Sequence, residues 1–420
     1  MARTAPSPAR RRRTRRAETP ARTLRRALTA LVDGALKDHD LTLPGRTRGA
    51  LITDARRLMA GPGRVGAAGR LVSRGDLHRH VITLRCPDQA FFLDAVKVYL
   101  HRRGIDPILQ LTLVARAEHG PGGAVTALGP PETGTPGNEM LIGLHVSATL
   151  VPDGRGLKAD LGAILSAVAA SVRDFEAVAE RVEAAARALA RDDPEAAGLL
   201  AWMGRDRYLM FGLLHDGRRL GIAANRRKFE RVAEGLQAEI DALAPPAGPG
   251  VAWLFLTAAP RFLYGAAPLE VVRIAWRTRK GGRLHTAVLL GYFARSARHM
   301  NAHQLPCLAG VWGRIRTTPA LARSDYLERE VRTVFDRIPK PVLLAVPVPE
   351  LARGLFAMVE RSGPGRTLVM DWHPEPARVR LIVAVLPLNR FSTQVQEGVL
   401  EAVAAAGLTP LTHNNVAVGP

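Results

Sequence analysis

Apolar positions along this chain recur with two periods, one near 3.6 residues and one of 2, and their order outlines a protein of the α+β class. In "ARTLRRALTALVDGALKD" the residues Leu24, Leu28, Leu31 and Ala35 fall at helical spacing, and "ALITDARRLMA" continues it, so residues 21–60 are predicted helical. "GPGRVGAAGR" then interrupts the pattern. From His80 the period changes: "HVITLRCPD" alternates as a strand, and "QAFFLDAVKVYLHRRG" places Phe92, Ala95, Val96, Tyr99 and Leu100 on one helical face, with Gly104 as its stop. "IDPILQLTLVARAE" and "NEMLIGLHVSATL" alternate as strands on either side of a Gly/Pro-rich loop over 120–137. "DLGAILSAVAASVRDFEAVAERVEAAARALARD" is a long helix. The resulting order β-α-β-β-α is the split β-α-β, or ferredoxin-like, frame.

The same order returns near the other end. "PVLLAV" reads as a short strand, "PELARGLFAMVERSG" as a helix closed by Gly363, and "RTLVMDWH" and "ARVRLIVAVLPL" as two strands. "FSTQVQEGVLEAVAAAG" follows as a helix closed by Gly407, and "LTPLTHNNVAVGP" offers a last edge strand. Between the two frames, "LEVVRIAWRTRKGGRLHTAVLLGYFARSA" is a hairpin turning at Lys280-Gly281-Gly282, and a further αβ module is expected around it.

Composition narrows the setting more than the chemistry. At 420 residues the chain is too long for one core, and 47% hydrophobic residues suffice to fold most of it. Two cysteines, Cys86 and Cys307, form no disulfide framework and no Cys-x-x-Cys, which fits a reducing, cytoplasmic location. No apolar run reaches membrane-spanning length, and the basic N-terminal stretch has no apolar segment behind it, so no membrane association is expected. A mitochondrial-type presequence is the alternative reading of those basic residues. The net charge of +21 is concentrated there: residues 1–26 hold ten Arg against the single acid Glu18. This Pro/Arg/Ala composition predicts a disordered tail able to bind polyanions weakly and nonspecifically.

Candidate chemistry is sparse. Gly61, Gly63 and Gly66 satisfy Gly-x-Gly-x-x-Gly, but a helix precedes them where a dinucleotide site needs a strand, so a flexible linker is expected. Lys280 sits in a hairpin turn among Arg277, Arg279 and Arg283, where desolvation is too slight to make a catalytic lysine. His299, His303 and Cys307 stand at successive i+4 steps, yet Met300 replaces the Glu of a zincin and Pro306 breaks the helix. His78 and His80 read as solvent-facing strand residues, and Asp371 and His373 have no nucleophile beside them. No catalytic, cofactor-binding or metal-ligating residue is therefore assigned.

Four blocks in order, "PDQAFFLDAVKVYLHRRGI", "LLAWMGRDRYLMFGLLHDGRRLGI", "RTRKGGRLHTAVLLGYFARSA" and "RVRLIVAVLPLNRFSTQVQEGVLEAV", resemble the N-terminal half of the large bacterial NAD-specific glutamate dehydrogenases over about residues 75–408. The chain departs from that family's pattern at Gln89-Ala90-Phe91, at Pro341 and Val342, and at Pro387-Leu388-Asn389-Arg390-Phe391. The resemblance implies multiple ACT-like (β-α-β-β-α-β) domains with a regulatory role. Hydride transfer between glutamate and NAD belongs to a separate catalytic region, for which residues 1–420 are expected to hold no counterpart, so NAD would enter only through a catalytic partner chain.

The expected organisation is a tail at 1–26, a helical segment and Gly-rich linker at 27–74, and an ACT-like domain at 75–195. A middle αβ domain at 196–338, a second ACT-like unit in this reading, and a C-terminal ACT-like domain at 339–420 complete it. Homo-oligomerisation through ACT-like domains is implied as well. In such a unit the turn from first strand to first helix borders the amino-acid pocket, which makes Pro87, Asp88 and Gln89 the candidate ligand-binding loop. The expected function is a noncatalytic regulatory or scaffold protein, with an amino-acid sensor and half of a split enzyme as its two versions. Participation in an active dehydrogenase and polyanion binding through the tail are the alternatives.

Overall fold

In a computed structural model the chain is described at residues 20–415, except 75–76, 133–136, 205, 260–268, 280–281, 320, 361–366, 375–378 and 411–414. It divides into two compact units, Met1–Gln89 with Asp106–Lys158, and Ala90–Ile105 with Ala159–Pro420. The class is α+β, with antiparallel sheets.

The first unit begins with helices α1 (Pro20–Asp38) and α2 (Gly45–Ala60). Leu24, Leu28, Val32 and Leu36 are spaced by four, so they form one buried stripe, flanked by the partly buried Leu31 and Ala35. With Leu51, Ile52, Ala55 and Met59 of α2 they cover Leu111, Leu113, Ala117, Val125 and Leu141 of a sheet. Each fully buried large side chain contributes about 1.5–3 kcal/mol. Helix α1 already starts at Pro20 and buries Leu24, so the last part of the expected 1–26 tail is helical; residues 1–19 lie outside the described residues.

The sheet is built from β1 (Gly66–Arg74), β2 (Leu77–Pro87), β3 (Leu109–His119), β4 (Val125–Gly129) and β5 (Asn138–Ser147) in the order β1-β2-β5-β3-β4. All neighbours are antiparallel, so β2 and β3 run parallel on the two sides of β5. That is the strand connection of a split β-α-β unit. β5 is buried from Asn138 to Val146, as a central strand should be.

Two sequence expectations are corrected. The segment expected as a linker forms β1, paired with β2 residue for residue from Gly66↔Arg85 to Arg74↔Leu77. Its glycines and alanines hide the period of 2, and Arg70 anchors it by a bidentate pair with the buried Asp54 of α2. The loop expected over 120–137 contains β4. Gly63 serves close backbone approach: its N–H donates to Gly122 O at 3.0 Å, and a Cβ on Gly123 (φ 84°) would stand 3.1 Å from Gly63 N.

The helices and the sheet are joined by a buried charge knot. The Arg85 and Glu139 side chains are both fully buried. Arg85 Nε donates to Glu139 Oε2 at 3.0 Å, while its terminal nitrogens donate to Leu58 O at 2.8 Å in the last turn of α2 and to Gly123 O at 3.1 Å between β3 and β4. Glu139 Oε1 accepts from Arg64 Nε at 2.6 Å and lies 2.9 Å from His119 Nε2. A charge this deep is tolerable only when paired and hydrogen-bonded throughout. The guanidinium also sits where the α2 macrodipole is negative.

The second unit contains α3 (Phe92–Arg102), α4 (Gly154–Leu189) from Ala159 onward, and α5 (Pro194–Met203). Phe92, Ala95, Val96 and Leu100 of α3 are buried as the periodicity predicts, with Tyr99 bonded to Asp160 of α4 and Gly104 at φ 62° beyond its end. Strands β6 (Tyr208–His215) and β7 (Arg218–Gly221) form a hairpin. After α6 (Arg226–Val232) and α7 (Leu236–Asp241) come β8 (Gly250–Leu254), β9 (Glu270–Arg277) and β10 (Leu284–Phe293). The order is β7-β6-β10-β9-β8, so the parallel strands β6 and β9 flank antiparallel β10, as β2 and β3 flank β5. Val178, Val182 and Leu189 of α4 and Leu199, Leu200 and Met203 of α5 bury one face with Trp253, Val272, Ile274, Leu289 and Phe293.

Beyond the sheet lie α8 (Arg295–His299), α9 (Leu308–Arg316), α10 (Asp325–Arg337), α11 (Lys340–Ala345) and α12 (Val348–Glu360). A two-stranded sheet of β11 (Leu368–Trp372) and β12 (Leu381–Val385) and the helix α13 (Thr393–Ala405) follow. The expected β-α-β-β-α frame is corrected here, because "PVLLAV" is helix α11 and not a strand. A short apolar run fits either element. Pro341 in the first turn needs no partner for its missing N–H, and the buried Lys340 donates from Nζ to Arg298 O at 2.8 Å, which favours the helix. The indole of Trp372 lies over Gly354 of α12, where a Cβ would meet Cζ2 at 2.5 Å. The expected last edge strand lies largely outside the described residues, as does Gly363.

Replacing Arg85 by Met leaves Glu139 Oε2 without its partner and only Arg64 and His119 at Oε1, and the first unit should lose up to about 3–5 kcal/mol. Adding Glu139→Leu should return part of that loss. Native-state amide hydrogen exchange of β2 and β5 checks both variants. Protection unchanged in Arg85→Met would show the knot to carry no net stability.

Candidate functional site

The loop singled out by the sequence lies at the end of β2, where Pro87 is buried while Asp88 and Gln89 are exposed. Asn138 fixes it: Asp88 N–H donates to Asn138 O at 3.2 Å, and Asn138 Nδ2 donates to Asp88 Oδ2 at 3.4 Å and to Glu132 O at 2.9 Å. Asn138 immediately precedes Glu139, so the loop is tethered to the strand that carries the charge knot. Its free chemistry is one exposed carboxylate and one exposed amide.

The other sequence candidates are separated by the fold. His299 ends α8 and is exposed, and the chain turns extended at Met300. His303 faces Asp336, with Nδ1 2.8 Å from Oδ2 and its N–H donating to Oδ1 at 3.0 Å. Cys307 adopts φ 64° and donates its thiol to Glu195 O, and burial pushes that thiol up to about 12. These three side chains share no face. His78 bonds Ser73 at 2.7 Å and His80 bonds Val151 O at 2.9 Å, so each has its own partner. His373 is exposed at 3.7 Å from Asp371 and 3.6 Å from Glu350. Burial also raises the Cys86 thiol. Lys280 and Gly281 lie outside the described residues.

A constellation that sequence reading missed stands at the β6–β7 turn. His215 ends β6, and Asp216 (φ 45°) and Gly217 (φ 74°) make the two-residue turn to Arg218, the positive-φ pair that Asp-Gly hairpins use. His285 is brought in by β10, whose Ala287 pairs with His215. Two residues along a strand return to the same face, so both imidazoles point to one side. Asp216 Oδ2 lies 3.1 Å from His215 Nε2 and 3.4 Å from His285 Nδ1. Trp276, directly opposite His285 on β9, stacks on it at 5.8 Å and 22° and lies 5.0 Å from the His215 ring. Burial lowers the pKa of His215; Asp216 opposes this, while Arg181, His285 and Arg218 reinforce it. Among the described residues this is the one group of three His, Cys, Asp or Glu donors close enough to hold a metal ion. The Asp-Gly hairpin signal in "LLHDGRRLG" marked the turn, but only the pairing of β6 with β10 adds a histidine 69 residues away from Asp216.

A second perturbed group is Glu270, opposite Gly291 where the β6–β10 register shifts. Its carboxyl is pushed up to about 7, mainly by burial, against the charge of Arg298 and hydrogen bonds from Trp253 and the Phe293 backbone. Around it Trp253 stacks on Phe293 at 5.8 Å, and the buried Tyr208 meets the same ring edge-on at 5.4 Å. Burial holds the Tyr208 phenol far above its ordinary range.

No family model matches this chain.

Because the folded pKa of Glu270 stands near 7 against an ordinary 4.5, the folded state keeps a proton that the unfolded chain releases between these values. The stability this provides is complete below 4.5 and is lost as pH rises through about 7. Glu270→Gln should remove that loss and exceed the parent by about 2–3 kcal/mol at about pH 8, with little difference at about pH 4. All five tryptophans, Trp202, Trp253, Trp276, Trp312 and Trp372, lie in the second unit, so urea unfolding followed by their fluorescence reads this unit alone. Parallel pH profiles for parent and variant would refute the assignment.

Proposed function

We propose that this is a noncatalytic regulatory or scaffold protein built on ACT-like frames, with an amino acid as the small ligand of the loop Pro87-Asp88-Gln89. The observation that carries the reading is the strand arrangement of the first unit, in which parallel β2 and β3 flank β5 and the loop follows β2. The repetition of that arrangement by β6, β9 and β10 supports it. Asp88 offers an exposed carboxylate to an α-ammonium group, and its hydrogen bonds to Asn138 hold it in place before a ligand arrives. The resemblance of the four sequence blocks to the regulatory half of NAD-specific glutamate dehydrogenases makes glutamate and its neighbours in metabolism the first ligands to try, and a catalytic chain of that kind the first partner.

The test is a thermal-shift panel of the common amino acids from micromolar to millimolar concentration. A saturable rise in Tm with one or a few of them is expected, equivalent to about 2.7 kcal/mol at a hundredfold excess over Kd. Asp88→Ala should weaken binding about tenfold or more while leaving the unliganded stability within about 1 kcal/mol of the parent, since Asp88 is a surface residue. No shift with any amino acid would retire the sensor and leave the scaffold.

A further inference from the structure

We propose that His215, Asp216 and His285 form a binding site for one divalent transition-metal ion, Zn²⁺ or a similar ion, at the β6–β7 turn. The proposal is independent of the regulatory reading. Two imidazoles and one carboxylate are the donor set that suits such ions, and they leave coordination positions open to water or a small anion.

The distances fit this use. Zinc bonds nitrogen and oxygen at about 2.0–2.2 Å, so donors at the corners of a tetrahedral site stand roughly 3.3 Å apart. Asp216 Oδ2 is 3.1 Å from one imidazole nitrogen and 3.4 Å from the other, and the three donor atoms all lie within 4.8 Å of one another.

A separate observation points to a ligand. His215 Nε2 is buried and makes no hydrogen bond, although Asp216 Oδ2 is 3.1 Å away. The carboxylate lies near this nitrogen but off the line a hydrogen bond requires, which is the arrangement of two donors converging on a shared ion. An orphaned polar atom in a folded protein calls for such a partner.

The scaffold is rigid where it matters. Asp216 is fixed by the positive-φ turn with Gly217, His285 by its place opposite Trp276, and His215 by the β6–β10 pairing. Trp276 walls both imidazoles with apolar surface, and Asp216 faces solvent, so an ion enters from the carboxylate side. Arg181 and Arg218 add positive charge nearby, which weakens the hold on a dication and favours an anion as the remaining ligand.

The test titrates Co²⁺ into the untagged full chain after chelator treatment and reads its visible absorption, with Zn²⁺ as competitor. One equivalent per chain is expected, displaced by Zn²⁺. Asp216→Asn and His285→Ala should each raise Kd by at least the roughly 10- to 100-fold that loss of even an outer-sphere partner costs. His303→Ala, which alters the pair with Asp336, should leave it unchanged. Far-UV circular dichroism establishes that each variant is folded, and His285→Gln, with a side chain of similar reach, replaces His285→Ala if the latter is not. Absence of Co²⁺ binding in the parent overturns the proposal. So does binding that persists at full strength in the folded Asp216→Asn and His285 variants, because the ion would then sit elsewhere.

Discussion

The first unit depends on getting one arginine out of water. Arg85 lies on a strand beside the buried Val81, Ile82 and Leu84, and its guanidinium can be buried only if each donor finds an acceptor. The acceptors come from three separate stretches: the last turn of α2, the turn between β3 and β4, and Glu139 on β5. None of these partners is available until the sheet has its register and α2 has packed on it. The knot therefore adds cooperativity, because its favourable form exists only in the completed unit. Apolar residues of the same volume could match its stability, but they would not require the same three segments to meet.

Elements with a clear period and enough length were legible in the sequence. α1, α2, α3 and the long α4 carry apolar stripes, and β2, β3, β5, β9 and β10 alternate or run continuously apolar between turn residues. The failures share a physical cause. β1 is made largely of Gly, Ala and Arg, so no hydrophobic alternation announces it. It is a strand because β2 offers an unpaired edge and Asp54 an anchor for Arg70. β4 is short and lies among glycines and prolines. α11 is a six-residue apolar run whose identity is settled by prolines and by the burial of Lys340, which are tertiary facts.

The candidate sites divide in the same way. Pro87-Asp88-Gln89 could be found because a loop between a strand and a helix is a local feature. The i+4 spacing of His299, His303 and Cys307 was also local, and the fold gave it no meaning, since the helix it assumed ends at His299. His215 and Asp216 stood beside a recognisable turn, yet His285 belongs to a strand seventy residues later. Knowing that these residues meet requires knowing that β6 pairs with β10 and in which register. A shift of one residue would turn His285 to the opposite face.

Both larger sheets share the device that makes such meetings possible. In each, the last strand to arrive, β5 or β10, inserts between two earlier strands that run parallel to one another. A late central strand touches both earlier ones, so its side chains face residues laid down long before. Glu139 of β5 meets Arg85 of β2 and Arg64 ahead of β1, and His285 of β10 meets the end of β6 and Trp276 of β9. In the first case the Arg85–Glu139 pair is fully buried and Arg85 donates from all three of its nitrogens, so its energy goes into holding the fold. In the second it lies at a strand end open to solvent, with one imidazole nitrogen left without a hydrogen bond. The same topology thus yields a structural knot where the central strand's residue is covered, and a site with unused binding capacity where it reaches the edge of the sheet.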